Sequence, residues 1–312
     1  MLGLLAISLS IALFAPKWVL AASILKDRAV PPINQPNLAD ISNLTLFAQY
    51  SAAAYCKDVL NTQQTLPLGY QTKVRCKAGI CPLVEAAETI IITGFDREED
   101  HDVEWDPSKS IDVGGFVAID KTNHVIVISF RGSSNLEDRI DDAKVIQKPW
   151  KCDGCWAHQA FAQFWEAALV TVQTAVSAYQ SDFPSYPIVV TGHSLGAAVA
   201  TLAAAEIRRW FPSIPVYLYN YGSPEVGNQA LADFVTSQGG NFRVTHFDDP
   251  VPRLPGTSLY AHITPEYWIT SKNNVPVKAA DIKYMPDGGG DVGFPTTDLD
   301  AHNWYFGPID SC

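Results

Sequence analysis

The feature that most constrains this chain is a strand, a tight turn and a helix written back to back over residues 188–210. Ile188-Val-Val-Thr191 is an unbroken apolar, β-branched run, the composition of a strand buried on both faces. Gly192-His-Ser-Leu-Gly196 follows directly, and the alanine-rich stretch from Ala197 to Trp210 reads as a helix. A bare G-x-S-x-G is common by chance, but between a buried strand and a helix it acquires a mechanical meaning. A serine on so sharp a turn has a crowded backbone. Glycines two residues to either side let strand and helix approach closely, and Ala197 and Ala198 extend the clearance. The helix N-terminus faces the serine and favours negative charge developing there. A serine that only capped the helix would not need both glycines. Ser194 is therefore a candidate nucleophile, and the amide of Leu195 a candidate donor to an oxyanion.

The rest of the chain supplies a frame for such a turn. Val125-Ile-Val-Ile-Ser-Phe130 is a second buried run, and Val216–Tyr221, Phe242–His246 and Tyr267–Ile269 read as further strands. Helices are predicted over Asn43–Tyr55, Ala160–Tyr179 and Asn228–Ser237. Strands alternating with helices imply an α/β fold with a mostly parallel central sheet flanked by helices. No linker follows Asn43, so residues 43–312 read as a single domain. At 47% hydrophobic, 312 residues bury one large core. With 22 basic against 33 acidic side chains and no basic run, the net charge of −11 excludes a nucleic-acid partner. It also argues against docking on anionic membranes by charge alone. The acidic stretch Glu98–Lys109 reads as a solvated loop rather than a metal site, and no metal or other cofactor is expected.

Met1 to Ala15 is apolar but too short to span a bilayer, and small residues follow at Ala21, Ala22 and Ser23. Residues 1–22 therefore read as a signal peptide, and 23–42, with Pro31, Pro32 and Pro36, as a propeptide or N-terminal arm. The chain is expected to be secreted, without stable membrane insertion. An even set of six cysteines fits that compartment. Spacing favours Cys76–Cys81 and Cys152–Cys155, leaving Cys56 for Cys312. The rival reading of Cys152-Asp-Gly-Cys155, a redox or zinc half-site, lacks a second ligand pair. Asn43-Leu-Thr45 is a glycosylation sequon in a secreted chain.

A serine nucleophile needs a base, and the base an orienting carboxylate. His246, His262 and His302 lie downstream of Ser194. So do Asp233, Asp248, Asp249, Glu266, Asp281, Asp287, Asp291, Asp298 and Asp300, all possible carboxylates. A loop just after a strand suits the acid, which favours Asp248 or Asp249; a later loop suits the base, which favours His262 or His302. Spacing decides neither choice.

Seven motifs, in order, resemble the secreted fungal class 3 lipases, the group of the Thermomyces and Rhizomucor lipases, with the type-A feruloyl esterases as relatives. They are Phe47-Ala-Gln-Tyr-Ser-Ala-Ala-Ala-Tyr-Cys56, Ser129-Phe-Arg-Gly-Ser133, Thr191-Gly-His-Ser-Leu-Gly196, Tyr221-Gly-Ser-Pro-Glu-Val-Gly-Asn228, Asp249-Pro-Val-Pro-Arg-Leu-Pro255, Pro265-Glu-Tyr-Trp-Ile269 and Ala301-His-Asn-Trp-Tyr-Phe-Gly307. The resemblance implies an α/β-hydrolase fold and a triad of Ser194, Asp249 and His302. It implies Ser133 as the second oxyanion donor, and it agrees with the cysteine pairing above. His262 and His193 become structural histidines, and His158 a possible pocket wall. The implied activity is triacylglycerol lipase. Phospholipase A1 or feruloyl esterase is the neighbouring reading, and a monomer on a lipid or ester substrate, at an oil–water interface, is expected. A non-catalytic lipid-binding relative would be expected to have lost one of the three triad residues, and none is lost.

The family's lid follows the Ser133 loop as a short amphipathic helix that usually carries a tryptophan. Here the lid segment Asn135-Leu136-Glu137-Asp138-Arg139-Ile140-Asp141-Asp142 has Arg139 at that place. Leu136, Ile140 and Ala143 keep only a narrow apolar stripe, so weak interfacial activation is expected.

Overall fold

The computed structural model describes residues 38–62, 72–77, 79–97, 113–133, 146–290 and 298–312. All of them belong to one compact unit, Asn34–Cys312. The acidic stretch 98–112 and the lid segment 135–142 lie outside the described residues. No helix among the described residues is long and apolar enough to cross a membrane.

The chain opens with α1 (Leu38–Ala53), then the short α2 (Lys57–Leu60) and α3 (Pro82–Ala86). The first helix begins five residues ahead of Asn43, inside the stretch read as an arm. Strands β1 (Thr89–Arg97), β2 (Val113–Asp120) and β3 (Val125–Phe130) follow as an antiparallel meander. The first two had no sequence-based prediction. All eight residues of β2 are buried, so its sequence carries no period-two alternation to read. Strands β4 (Gln147–Pro149) and β5 (Trp156–His158) form a separate hairpin around the Cys152–Cys155 bridge.

The site is carried by what comes next: α4 (Gln159–Asp182), β6 (Ile188–His193), α5 (Leu195–Trp210), β7 (Val216–Tyr221), α6 (Gln229–Ser237) and β8 (Asn241–His246). Then come β9 (Glu266–Ile269), β10 (Ile282–Met285) and a last helical turn, α7 (Leu299–His302). Eight strands make one sheet in the order β1-β2-β3-β6-β7-β8-β9-β10. Strands β3, β6, β7, β8 and β9 pair in parallel, and β10 returns antiparallel on the edge. The fold is α/β, an α/β hydrolase.

Side-chain alternation along β6 sets its two layers. Ile188 and Val190 join the apolar core shared with α4 and α5, where Trp165, Val172, Val199 and Leu202 are fully buried. Thr191, on the opposite face, meets α1, where its hydroxyl lies 2.8 Å from that of Ser51. Helix α5 is alanine-rich because it lies tight on the sheet, with every residue from Gly196 to Ile207 buried. Three disulfides, Cys56–Cys312, Cys76–Cys81 and Cys152–Cys155, close the described cysteines. The Cys152–Cys155 bond closes the turn of the β4–β5 hairpin.

Candidate active site

Ser194 sits between β6 and α5 with φ 58° and ψ −130°, a backbone region that non-glycine residues rarely enter and that is occupied at functional turns. The flanking glycines make that turn possible by space alone. A Cβ on Gly192 would run into the backbone of Gly196, and one on Gly196 would lie 2.6 Å from the Arg131 carbonyl oxygen. The serine N–H donates to the Tyr221 carbonyl at 2.9 Å, which ties the turn to the end of β7.

Asp249 and His302 meet from loops 53 residues apart. The His302 Nδ1–H donates to Asp249 Oδ2 at 2.9 Å and Oδ1 at 3.0 Å. Both side chains are buried. The carboxylate also accepts from the Val251 amide at 2.9 Å and from the Tyr305 hydroxyl at 2.5 Å. Four hydrogen bonds on one buried carboxylate fix its rotamer and compensate its desolvation. Asp248 is also buried, but its neighbour's side chain is the one that meets His302.

Gly222, at the end of β7, is where the two halves touch. It has φ 58°, and a Cβ there would lie 2.9 Å from His302 Cε1 and 3.0 Å from Asp249 Oδ2. Its neighbour Tyr221 holds the Ser194 amide, so two consecutive residues back Ser194 and His302. The Ser194 hydroxyl and His302 Nε2 are both buried, and neither has a hydrogen-bond partner among the described residues. An unpartnered serine oxygen and an unpartnered imidazole nitrogen are the two groups that attack on a carbonyl requires.

The loop that follows β3 lies against the nucleophile. A Cβ on Gly132 would be 3.0 Å from Ser194 Cβ, and Ser133 is next in the chain. Arg131 anchors this loop through a buried ion pair with Asp96 of β1, 3.1 Å between Nη2 and Oδ1, and its amide donates to Gly114 at 2.8 Å. Leu195 opens α5, so its amide is one of the free donors of a helix start.

The remaining histidines are held elsewhere. His262 meets the Pro252 carbonyl at 2.5 Å, and burial, followed by the charge of Arg243, holds its pKa well below the ordinary value. His246 lies between the carbonyls of Ala301 and Ser271. His158 is buried and stacked on Phe161 with ring centres 4.3 Å apart, 5.9 Å from Tyr260. His193 spans the Tyr55 hydroxyl and the His302 carbonyl, and burial holds its pKa well below the ordinary value, with His302 adding to the shift. Asn43 is exposed on α1.

Three contributors were not singled out from the sequence: Tyr305, Gly222 and the Arg131–Asp96 pair. Tyr305 and Gly222 stand inside motifs quoted above, so their positions were visible though their contacts were not. Asp96 carried no local signal at all, since its partner lies 35 residues on.

A strained serine between a parallel strand and a helix, backed by a buried His–Asp pair from later loops, defines an α/β hydrolase with serine-esterase architecture. Residues 127–259 match the family Lipase (class 3). The secreted mono- and diacylglycerol lipase A of Penicillium cyclopium is 39% identical over 282 residues, 88% of this chain and 87% of that protein. The secreted mono- and diacylglycerol lipase 1 of Fusarium solani is 38% identical over 301 residues, 93% of this chain and 81% of the relative. The crystal structure of the mono- and diacylglycerol lipase from Aspergillus oryzae superposes with a TM-score of 0.76 at 35% identity, covering 88% of this chain and 98% of that one. The chain belongs to the class 3 lipase family. It is a secreted carboxylic ester hydrolase.

Proposed function

We propose that this lipase hydrolyses acylglycerols through an acyl-enzyme formed on Ser194. The observation that supports the reading best is the buried His302–Asp249 pair set beside a strained Ser194 whose hydroxyl is unengaged. His302 Nε2 takes the Ser194 proton as the serine oxygen attacks the ester carbonyl. Asp249 keeps the proton on Nδ1 and stabilises the imidazolium. The amides of Leu195 and Ser133 receive the oxyanion, each such donor being worth roughly 3–4 kcal/mol in the transition state. His302 then gives its proton to the departing alcohol, and a water repeats the sequence to free the fatty acid.

Mono- and diacylglycerols are the favoured substrates. Two relatives that span most of the chain are named for them. The charged lid segment 135–142 points the same way, since a narrow apolar stripe buries little area in a triglyceride surface. The enzyme acts as a monomer, meets its substrate at the lipid–water boundary without inserting, needs no cofactor and carries a glycan on Asn43.

The test compares initial rates on mono-, di- and triacylglycerol of one short acyl chain, taken through each solubility limit, with phospholipid and methyl ferulate in parallel. Partial glycerides hydrolysed fastest, with little jump at the limit, is the expected outcome. Preference for phospholipid or ferulate would overturn the substrate. Active Ser194→Ala protein, or stoichiometric phosphonate labelling of that variant, would overturn the mechanism.

A further inference from the structure

We infer that Tyr55 and His193 form a positioning strut that holds the oxyanion loop and the backbone of His302 in register on either side of Ser194. The inference rests on the triad reading above. Two hydrogen bonds and one close contact link its members. Gly132 lies against the Tyr55 hydroxyl, so near that a Cβ there would meet that oxygen. That hydroxyl donates to His193 Nδ1 at 2.7 Å, and His193 Nε2–H donates to the His302 carbonyl at 2.9 Å.

Every direction in this chain is forced. A carbonyl only accepts, so Nε2 carries the proton. Burial disfavours a second proton on the ring, and so does the neighbouring His302, whose ring centre is 4.4 Å away. The imidazole is therefore neutral and Nδ1 is an open lone pair. Tyr55 supplies the proton for it, and burial keeps that phenol protonated well above its ordinary range. Turning the His193 ring over would break both of its hydrogen bonds at once, and a buried group left unpaired costs its desolvation.

The ends of the chain matter more than its middle. Gly132 precedes Ser133, His193 precedes Ser194, and His302 is the base, so one strut touches the neighbour of each working part. A Cβ on Gly132 would collide with the Tyr55 hydroxyl, so the loop is pressed onto that oxygen. The foot of the strut is fastened too. Cys56, next to Tyr55, is bonded to Cys312, ten residues beyond His302. Oxyanion donors and a general base act only within a narrow geometric tolerance, and misplacement by about 1 Å costs about 100-fold.

Tyr55→Phe deletes one oxygen and keeps the ring. On a soluble short-chain p-nitrophenyl ester, kcat is expected to fall about 10- to 100-fold with KM within about twofold. Inactivation by a p-nitrophenyl phosphonate is expected to slow in parallel, with the melting temperature lowered by a few degrees and the fold intact. His193→Gln, whose amide offers one fixed donor and one fixed acceptor, is expected to keep most of kcat. His193→Leu is expected to lose as much as Y55F, and the double variant Y55F/H193L to lose no more, because both cut the same chain. Wild-type kcat in Y55F, multiplied losses in the double variant, or equal kcat in H193Q and H193L would each overturn the strut. If Y55F does not fold, the comparison of H193Q with H193L decides alone. Ser194→Ala separates the two levels. Activity in that variant breaks the triad reading, whereas an inactive S194A beside an unimpaired Y55F breaks only the strut.

Discussion

The turn that carries Ser194 and the loops that carry Asp249 and His302 are held by different means. Around the serine, backbone lies directly on backbone: Gly192 against Gly196, and Gly196 against the end of β3. Asp249 and His302, the proposed acid and base, instead hang from polar tethers. The Asp249 carboxylate is held by Val251, Tyr305 and His302, and His302 by its carbonyl bond to His193. Steric closure gives an all-or-none structure, whereas tethers give graded ones. The nucleophile should therefore tolerate almost no change around it, and the acid–base side should lose function by steps.

The largest effect tests the first half. Gly196→Val would drive its Cβ into the carbonyls of Phe130 and Arg131. It is expected to abolish soluble folded protein, read as expression yield and the circular-dichroism melt. A folded, active G196V would end the distinction. Next is the proposed base. His302→Ala should lower kcat about 10⁶-fold with the fold intact, as removal of a triad histidine does elsewhere. His262→Ala should leave much of the activity, because that ring serves Pro252. The reverse pattern, measured on one soluble ester, would reassign the base.

Smaller effects probe the tethers. Gly222→Ala adds a methyl 2.9 Å from His302 Cε1 at a positive φ. It should cost about 1–3 kcal/mol of stability, by denaturant titration, and push kcat down by more than that suggests, since the strain falls on the His–Asp pair. Tyr305→Phe removes one of the four bonds on Asp249 and should lower kcat about tenfold, the worth of a hydrogen bond to a charged group. The least effect is on pH. His193 and His262 have pKa values held below the ordinary 6.5. Below that pH the unfolded chain binds protons that the folded chain refuses, so stability is full above it and drains away as pH falls. The melting temperature should decline on acidification below pH 6.5, and less steeply in His262→Gln.

Legibility in the sequence follows the same division. The turn of Ser194 is written in nine consecutive residues, because close approach of backbone to backbone demands glycine at fixed offsets. The long helices and parallel strands are legible by their apolar runs. The acid and base are not local. Asp248 and Asp249 differ by one position, and both are buried. Only the bonds from Val251, Tyr305 and His302 separate them. His262 and His302 likewise differ in what the fold brings to them. Strands β1 and β2 went unread because total burial erases alternation, and Asp96 because its meaning is its distance from Arg131 in the fold alone.

The bond between Cys56 and Cys312 joins residues 256 positions apart. A secreted enzyme meets proteases in its surroundings, and exposed segments are where they cut. Any single cut between these two cysteines leaves both pieces covalently one molecule. Such a nicked lipase would run at full mass on a non-reducing gel and fall into two bands only when a thiol is added. Damage that ends most enzymes would here be recorded in the chain before it was felt in the activity.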